Sequence, residues 1–182
     1  MLTAYEGKLF NGPNDLWIDQ KDNIYFTDPY YQRDYWARTK PDLSKQSVYV
    51  LLKGKSKPVL LDSTLKQPNG IVGSPDGKTL YVADIGDGKI YKYAINPNGL
   101  LSDRQLFFNK GADGITLDER GNLYLAGNGV TVINTKGQEI AHIDIPEPWT
   151  SNLCFGGKNR DKLFITASKA VYIMQMNVKG VE

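Results

Sequence analysis

The sequence predicts an all-β chain folded as a β-propeller of the six-bladed type, present as an open arc of about four blades. Three observations carry this. Four segments share one plan, an apolar run, a polar turn and a second apolar run, and they start at Asn14, Asn69, Asp113 and Asn152. The starts lie 55, 44 and 39 residues apart, which is the length of a four-stranded blade. No segment keeps a 3.6-residue apolar period over ten or more residues, so no amphipathic helix competes.

In the first repeat, strands are expected over 16–18 and 24–26, joined by Asp22 and Asn23, and then over 47–52 and 59–61. The stretch 29–45 between its second and third strands is an insertion that lengthens this repeat. The second repeat predicts strands over 71–72, 80–82, 90–95 and 105–108, with Asp76-Gly77 at its first turn. The third predicts 115–117, 123–125, 131–133 and 140–143, with Arg120-Gly121-Asn122 at the turn. These turn residues tolerate the positive φ that tight hairpins require. The fourth repeat carries the same apolar-turn-apolar pattern from Asn152 to Ala167.

At roughly 150 residues per domain, 182 residues make one propeller domain over 1–182, with a core of useful size. A hydrophobic fraction of 41% against 23% charged residues excludes a disordered tail. Lys and Arg number 22 against 20 Asp and Glu, and a net charge of +2 gives no reason to expect nucleic acid or an anionic membrane as partner. Apolar runs such as 48–52 are far short of the roughly 20 residues of a membrane span. The first residues show no signal peptide, which leaves the compartment open between the cytoplasm and, with a leader upstream, the periplasm or the exterior. One Cys and one His exclude an internal disulfide and a multi-histidine metal site. Cys154, in an apolar run, is expected to be a buried small hydrophobe, and His142 a structural residue. Residues 85–89 fit a hairpin turn, not a phosphate loop, because no helix follows.

Asn14, Asn69 and Asp113 hold the same place, just before the innermost strand of three successive blades. A propeller brings such positions to one mouth of its channel. Convergent carboxamide and carboxylate oxygens suit a hard divalent cation, above all Ca²⁺. Asx residues also start strands simply by capping the preceding turn, and that reading stays open. Asn152, with Ser151 beside it, is expected to line the channel on the substrate side. Tyr30 belongs to the aromatic stretch 30–38, a candidate lid with substrate contacts or else a loop packed on a neighbouring blade. Asp28 and Asp84 end the second strands of their blades and suit hydrogen bonding at the blade edge.

Asn11-Gly12-Pro13-Asn14-Asp15 with Thr27-Asp28-Pro29, and Gln67-Pro68-Asn69-Gly70-Ile71 with Ser74-Pro75-Asp76-Gly77-Lys78, resemble the gluconolactonase and regucalcin family, also called the senescence marker protein family. Ala112-Asp113-Gly114-Ile115 and Pro148-Trp149-Thr150-Ser151-Asn152-Leu153-Cys154-Phe155-Gly156-Gly157 continue the match in the family's order. The resemblance implies a six-bladed propeller with one catalytic divalent metal, usually Ca²⁺, and hydrolysis of a small-molecule lactone such as a sugar lactone. It implies that Asn69 and Asp113 bind the metal and that Asn14 contacts metal or substrate. The metal would polarise the carbonyl for attack by water, with Asp113 the catalytic carboxylate, as ligand or as base.

Two departures bear on this. The family's remaining ligand, a first-blade glutamate in a Glu-Gly-Pro motif, has no counterpart, since Glu6-Gly7-Lys8 leads straight into Asn14. Gly12 stands where regucalcin-type members carry arginine. A ligand set with one carboxylate is expected to bind calcium more weakly. The alternative is a non-catalytic propeller fragment or scaffold that lost its activity with the glutamate. An open arc is further expected to self-associate through its exposed blade faces and edges.

Overall fold

The structure is a computed structural model and describes residues 2–181. A short hairpin, β1 (Ala4–Tyr5) and β2 (Lys8–Leu9), precedes the first blade. That blade is β3 (Leu16–Ile18), β4 (Ile24–Asp28), β5 (Ser47–Leu51) and β6 (Val59–Asp62). The second is β7 (Pro68–Gly73), β8 (Thr79–Asp84), β9 (Lys89–Ile95) and β10 (Leu101–Phe108). The third is β11 (Ile115–Leu117), β12 (Leu123–Gly127), β13 (Gly129–Ile133) and β14 (Glu139–Ile143). The last is three-stranded, β15 (Thr150–Gly156), β16 (Lys162–Ala167) and β17 (Ala170–Gln175). Each sheet is antiparallel with its strands in chain order, so every connection inside a blade is a hairpin. Among the described residues no helix is long and apolar enough to cross a membrane.

The first hairpin of each blade is fixed locally. Asp19 Oδ1 accepts from the N–H groups of Lys21 and Asn23, both at 2.8 Å, and Asp118 Oδ1 accepts from Arg120 and Asn122, both at 2.9 Å. These are Asx turns, which reverse the chain through bonds between near neighbours in sequence. The backbone passes through the left-handed region at Asp22 (φ 62°), Gly77 (φ 66°) and Gly121 (φ 78°), within the linkers that the sequence marks.

Blades stack through their inner strands: β3 and β4 meet β7, β7 meets β11, and β11 and β12 meet β15. Tyr25, Val50, Ile71, Leu80, Ile90, Leu117 and Leu123 belong to one buried cluster spanning the first three blades. Tyr124, Val132, Leu153, Phe155 and Leu163 form a second between the last two. The ends of the arc differ from its middle. At equivalent positions Leu16 is 57% exposed whereas Ile71, Ile115 and Leu153 are 2%, 5% and 4% exposed, because no blade covers the first blade's outer face at that position. Val171 (66%) and Ile173 (59%) are exposed on the opposite end.

Two expectations are corrected here. Cys154 is exposed, not buried. Its equivalents Trp17, Val72 and Thr116 pair with Tyr25, Tyr81 and Tyr124 as Cys154 pairs with Phe164, and each is buried beneath the following blade. Among the described residues no blade lies over Cys154. The second correction concerns register. Leu153 pairs with Ile165 as Ile115 pairs with Leu125 and Ile71 with Val82, so Asn152 corresponds to Gly70 and Gly114. Ser151 therefore takes the place of Asn69 and Asp113, inside a bulge between Thr150 and Asn152.

Candidate functional site

The heads of the blades are tied into one rim by hydrogen bonds between neighbours. Asn14 N–H donates to the Thr27 carbonyl at 3.0 Å, and the Thr27 hydroxyl donates to the Asn69 carbonyl at 2.8 Å. Gly70 N–H donates to the Asp113 carbonyl at 2.8 Å, and Gly114 N–H to the Ser151 carbonyl at 2.9 Å. Asn14, Asn69, Asp113 and Ser151 thus follow one another along the arc. The approach at Gly70 is so close that a Cβ there would lie 2.4 Å from the Asp113 carbonyl oxygen, and only glycine fits.

Buried carboxylates pin the loops that enter the first two heads. Asp28 accepts from Asn11 N–H at 3.0 Å and Gly12 N–H at 2.7 Å. Asp84 accepts from Lys66 and Gln67 N–H, both at 2.8 Å. This is the blade-edge role expected of both residues. Burial pushes the Asp28 carboxyl up, and the Gly12 and Asn11 N–H groups only partly oppose it.

Asn69 is buried, and its Nδ2 donates to the Tyr31 hydroxyl at 2.7 Å. Asp113 is half-buried, and its Oδ2 accepts from Trp149 Nε1 at 2.9 Å. Neither Asn69 Oδ1 nor Asp113 Oδ1 accepts a hydrogen bond from the described residues, so each head keeps one free acceptor while its other end is held. Burial pushes the Tyr31 phenol up, the Asn69 amide opposes this, and the Asp113 charge adds to the rise. Tyr31 is therefore a neutral phenol with a proton of its own to donate. Asp15 lies close enough for the Asp113 charge to reinforce the upward push of burial on its carboxyl. Its oxygens are already committed, Oδ1 to Leu16 N–H at 2.9 Å and Oδ2 to Ile71 N–H at 3.1 Å.

Asn14 is exposed at the rim, and its side chain makes no hydrogen bond among the described residues. Asn152 is exposed one step off the head register, with Oδ1 accepting from Leu153 N–H at 2.7 Å. Together with Asp15, Ile71, Ile115, Cys154 and Phe164 it lines a cavity of ≈ 290 Å³ on the inner side of the arc. Tyr30 bonds to Gln32 within its own loop and packs on Trp36, ring centroids 6.0 Å apart. Its neighbour Tyr31 is the tyrosine that reaches a head residue. The insertion is anchored by Arg38, whose guanidinium donates to the Phe10 carbonyl at 2.7 Å and to that of Asn11. It also meets the loop that enters the second blade, where Gln67 Nε2 donates to the Tyr30 carbonyl at 3.4 Å. His142 is exposed on β14, with Nδ1 3.4 Å from the Thr131 hydroxyl and Nε2 3.4 Å from Asp144.

Tyr31 and Trp149 were not singled out by the sequence as site residues. Tyr31 is one of several aromatics in the insertion, and Trp149 belongs to the family-like run 148–157 but precedes the aligned head of its repeat. As for a cation, no group of three or more His, Cys, Asp or Glu among the described residues could hold one. The available donors are the carboxylate of Asp113 and the amide oxygens of Asn69 and Asn14. Such an all-oxygen set suits a hard cation and not zinc.

Comparison with known proteins agrees with this architecture. Residues 1–169 match the model of the "SMP-30/Gluconolactonase/LRE-like region". A gluconolactonase of Zymomonas mobilis is 33% identical over 195 aligned residues, covering 99% of this chain and 54% of that protein. The lactonohydrolase oryL of Aspergillus oryzae is 28% identical over 99% of this chain and 48% of its own length. The chain thus spans about half the length of these curated relatives. The solved structure of a gluconolactonase from Xanthomonas campestris superposes with a TM-score of 0.87 at 33% identity, over 96% of this chain and 60% of that one. With its four blades and its rim of Asx heads, the chain belongs to the SMP-30/gluconolactonase/LRE-like family.

Proposed function

We propose that this chain supplies the reacting residues of a lactone hydrolase that acts on a small sugar-type lactone with the aid of a divalent cation, Ca²⁺ first among the candidates. The observation that carries this reading is the pair of free acceptors, Asn69 Oδ1 and Asp113 Oδ1, on adjacent blade heads whose other polar atoms are occupied by Tyr31 and Trp149. The lactonase activities of the relatives support the reaction class. Asn69, Asp113 and Asn14 would hold the cation, which when bound supplies Lewis-acid polarisation of the lactone carbonyl.

The chain's own residues account for the rest. Asp113 acts through Oδ1, as ligand or as base in turn, since Oδ2 is tied to the indole; as base it orients the attacking water and accepts its proton. Water adds to the carbonyl carbon, the ring C–O bond breaks, and the ring oxygen takes up a proton to leave a hydroxy acid. Tyr31, neutral and beside Asn69, is a donor available to the developing oxyanion or the departing oxygen. Ser151 and Asn152 border the substrate side of the rim.

The test is hydrolysis of δ-gluconolactone by the purified chain with Ca²⁺ added and then chelated, alongside Asp113→Asn. Calcium-dependent turnover that falls by about 100-fold or more in the variant supports the reading. Turnover indifferent to both chelation and the variant overturns it. Calcium binding without turnover favours a binding arc instead.

A further inference from the structure

The rim is not uniform, and the third blade breaks the rule of the first two. Asp28 and Asp84 close their blades' second strands, and each pins the loop entering its own head. At the equivalent place β12 carries Gly127, which pairs with Gly129 as Asp28 pairs with Ser47 and Asp84 with Lys89. The edge of the Trp149 ring passes beside this glycine: a Cβ built on Gly127 would have Trp149 Cη2 as its neighbour at 3.8 Å, an ordinary contact, whereas a longer side chain would meet the ring. The indole comes from the fourth blade, and its N–H ends on Asp113 Oδ2 at 2.9 Å. Its backbone is held in turn, because the Trp149 carbonyl accepts from Ser168 N–H at 2.9 Å and from the Ser168 hydroxyl at 3.2 Å.

We propose that Trp149 is the positioning residue of Asp113: the fourth blade's indole, passing beside Gly127, fixes the carboxylate rotamer and leaves Oδ1 as the oxygen presented at the rim. An indole N–H is a donor only, so it cannot compete for a cation or exchange roles with the carboxylate. A charge-assisted hydrogen bond from a ring with two side-chain torsions restricts the carboxylate more tightly than a flexible lysine would. A role for Trp149 in turnover rests on the lactonase reading above; its hold on Asp113 does not.

The experiment separates the two. In the chain labelled with ¹⁵N-tryptophan, Trp149→Phe assigns the Trp149 indole resonance among those of Trp17, Trp36 and Trp149. Asp113→Ala is then expected to shift that resonance and speed its hydrogen exchange while the other two stay in place. Calcium is expected to move the same resonance in the parent chain and not in Asp113→Ala. With δ-gluconolactone, Trp149→Phe is expected to lower kcat by about tenfold or more, the loss of one hydrogen bond to a charged group, with KM changed by about twofold or less. An indole resonance indifferent to Asp113→Ala overturns the proposal even if the chain is an active lactonase, and so does a Trp149→Phe variant with full kcat and unaltered calcium affinity in an active chain. An indole that responds to Asp113 in a chain that neither binds calcium nor turns over lactone upholds the hold on Asp113 and removes the lactonase reading. Gly127→Asp is the second variant: the added carboxylate, set against the ring edge, is expected to draw the indole off Asp113 and to shift its resonance and speed its exchange as Asp113→Ala does, and a folded Gly127→Asp chain with the parent indole resonance counts against the proposal.

Discussion

The indole of Trp17 occupies the space that a side chain on Gly73 would need: a Cβ built on Gly73 would lie 2.2 Å from the ring. The two residues sit on the innermost strands of adjacent blades, and their contact sets how closely the first blade stacks on the second. Trp17 is only 7% exposed and also packs on Tyr25, ring centroids 5.4 Å apart, so it has little room to retreat.

Gly73→Ala is therefore expected to destabilise the fold by about 1–3 kcal/mol through overpacking. In a Trp17→Ala background, itself costing about 3–5 kcal/mol, the same substitution should cost almost nothing. Chemical denaturation of the two single variants and the double variant measures the coupling, and strict additivity would sink the account.

Asp84 is 1% exposed and accepts from three N–H groups, those of Lys66, Gln67 and, at 3.2 Å, Asp87. Asp84→Asn turns one acceptor atom into a donor facing donors, and a loss of about 1–3 kcal/mol is expected. The more specific outcome is local. Hydrogen exchange at Lys66 and Gln67 should accelerate in the variant, because this loop feeds directly into Asn69.

Acid should weaken one outer corner of the arc in particular. Burial pushes the Asp62 carboxyl up, but the hydroxyl and N–H of Thr64, the Tyr93 hydroxyl and the Arg104 guanidinium outweigh it and hold the group below its ordinary 3.8. The folded state then binds that proton less readily than the unfolded chain, so the contribution is fully present above the unfolded value and is lost as pH falls through the folded one. Asp62→Asn should cost about 1–2 kcal/mol near pH 6, and the gap from the parent should close below pH 3.8. Urea melts of both proteins at pH 6 and pH 3 decide this. A gap that widens in acid reverses the sign and rejects it.

Tyr31 and Tyr30 offer a matched pair. Tyr31→Phe removes the acceptor of Asn69 Nδ2 and leaves a buried amide unpaired, with an expected cost of about 1–2 kcal/mol and a severalfold weaker response to calcium. Tyr30→Phe loses only a bond to the exposed Gln32 and should leave both unchanged. Calorimetric calcium titration of the two variants distinguishes them, and equal behaviour would remove Tyr31 from the site.

Much of the arc was legible in the chain because the information is local. The first hairpins of the first three blades are written into a few residues, an Asx side chain that folds back on the next N–H groups and a glycine or aspartate in the left-handed region, flanked by short β-branched and aromatic runs. That locality places the strands near their observed bounds and brings Asn69 and Asp113 to equivalent positions on adjacent blades. The glycines following them are legible for a related reason, since the pattern repeats.

Whatever depends on a neighbouring blade was decided by the tertiary structure. Cys154 reads as buried in its own strand, but burial at that position is conferred by the next blade over Trp17, Val72 and Thr116. Asn152 reads as a head because it is an asparagine at the start of a repeat. Leu153 pairs with Ile165 as Ile71 pairs with Val82 and Ile115 with Leu125, which puts Ser151 in that register instead, and strand pairing is settled by hydrogen bonds between strands. Tyr31 lies in the candidate lid and Trp149 in a run that resembles the family, but neither carries a role that can be read from the chain. Their place at the site follows from a buried amide and a carboxylate that each need a partner, and those partners come from residues 38 and 36 positions away, which only the stacking of blades brings within hydrogen-bond reach.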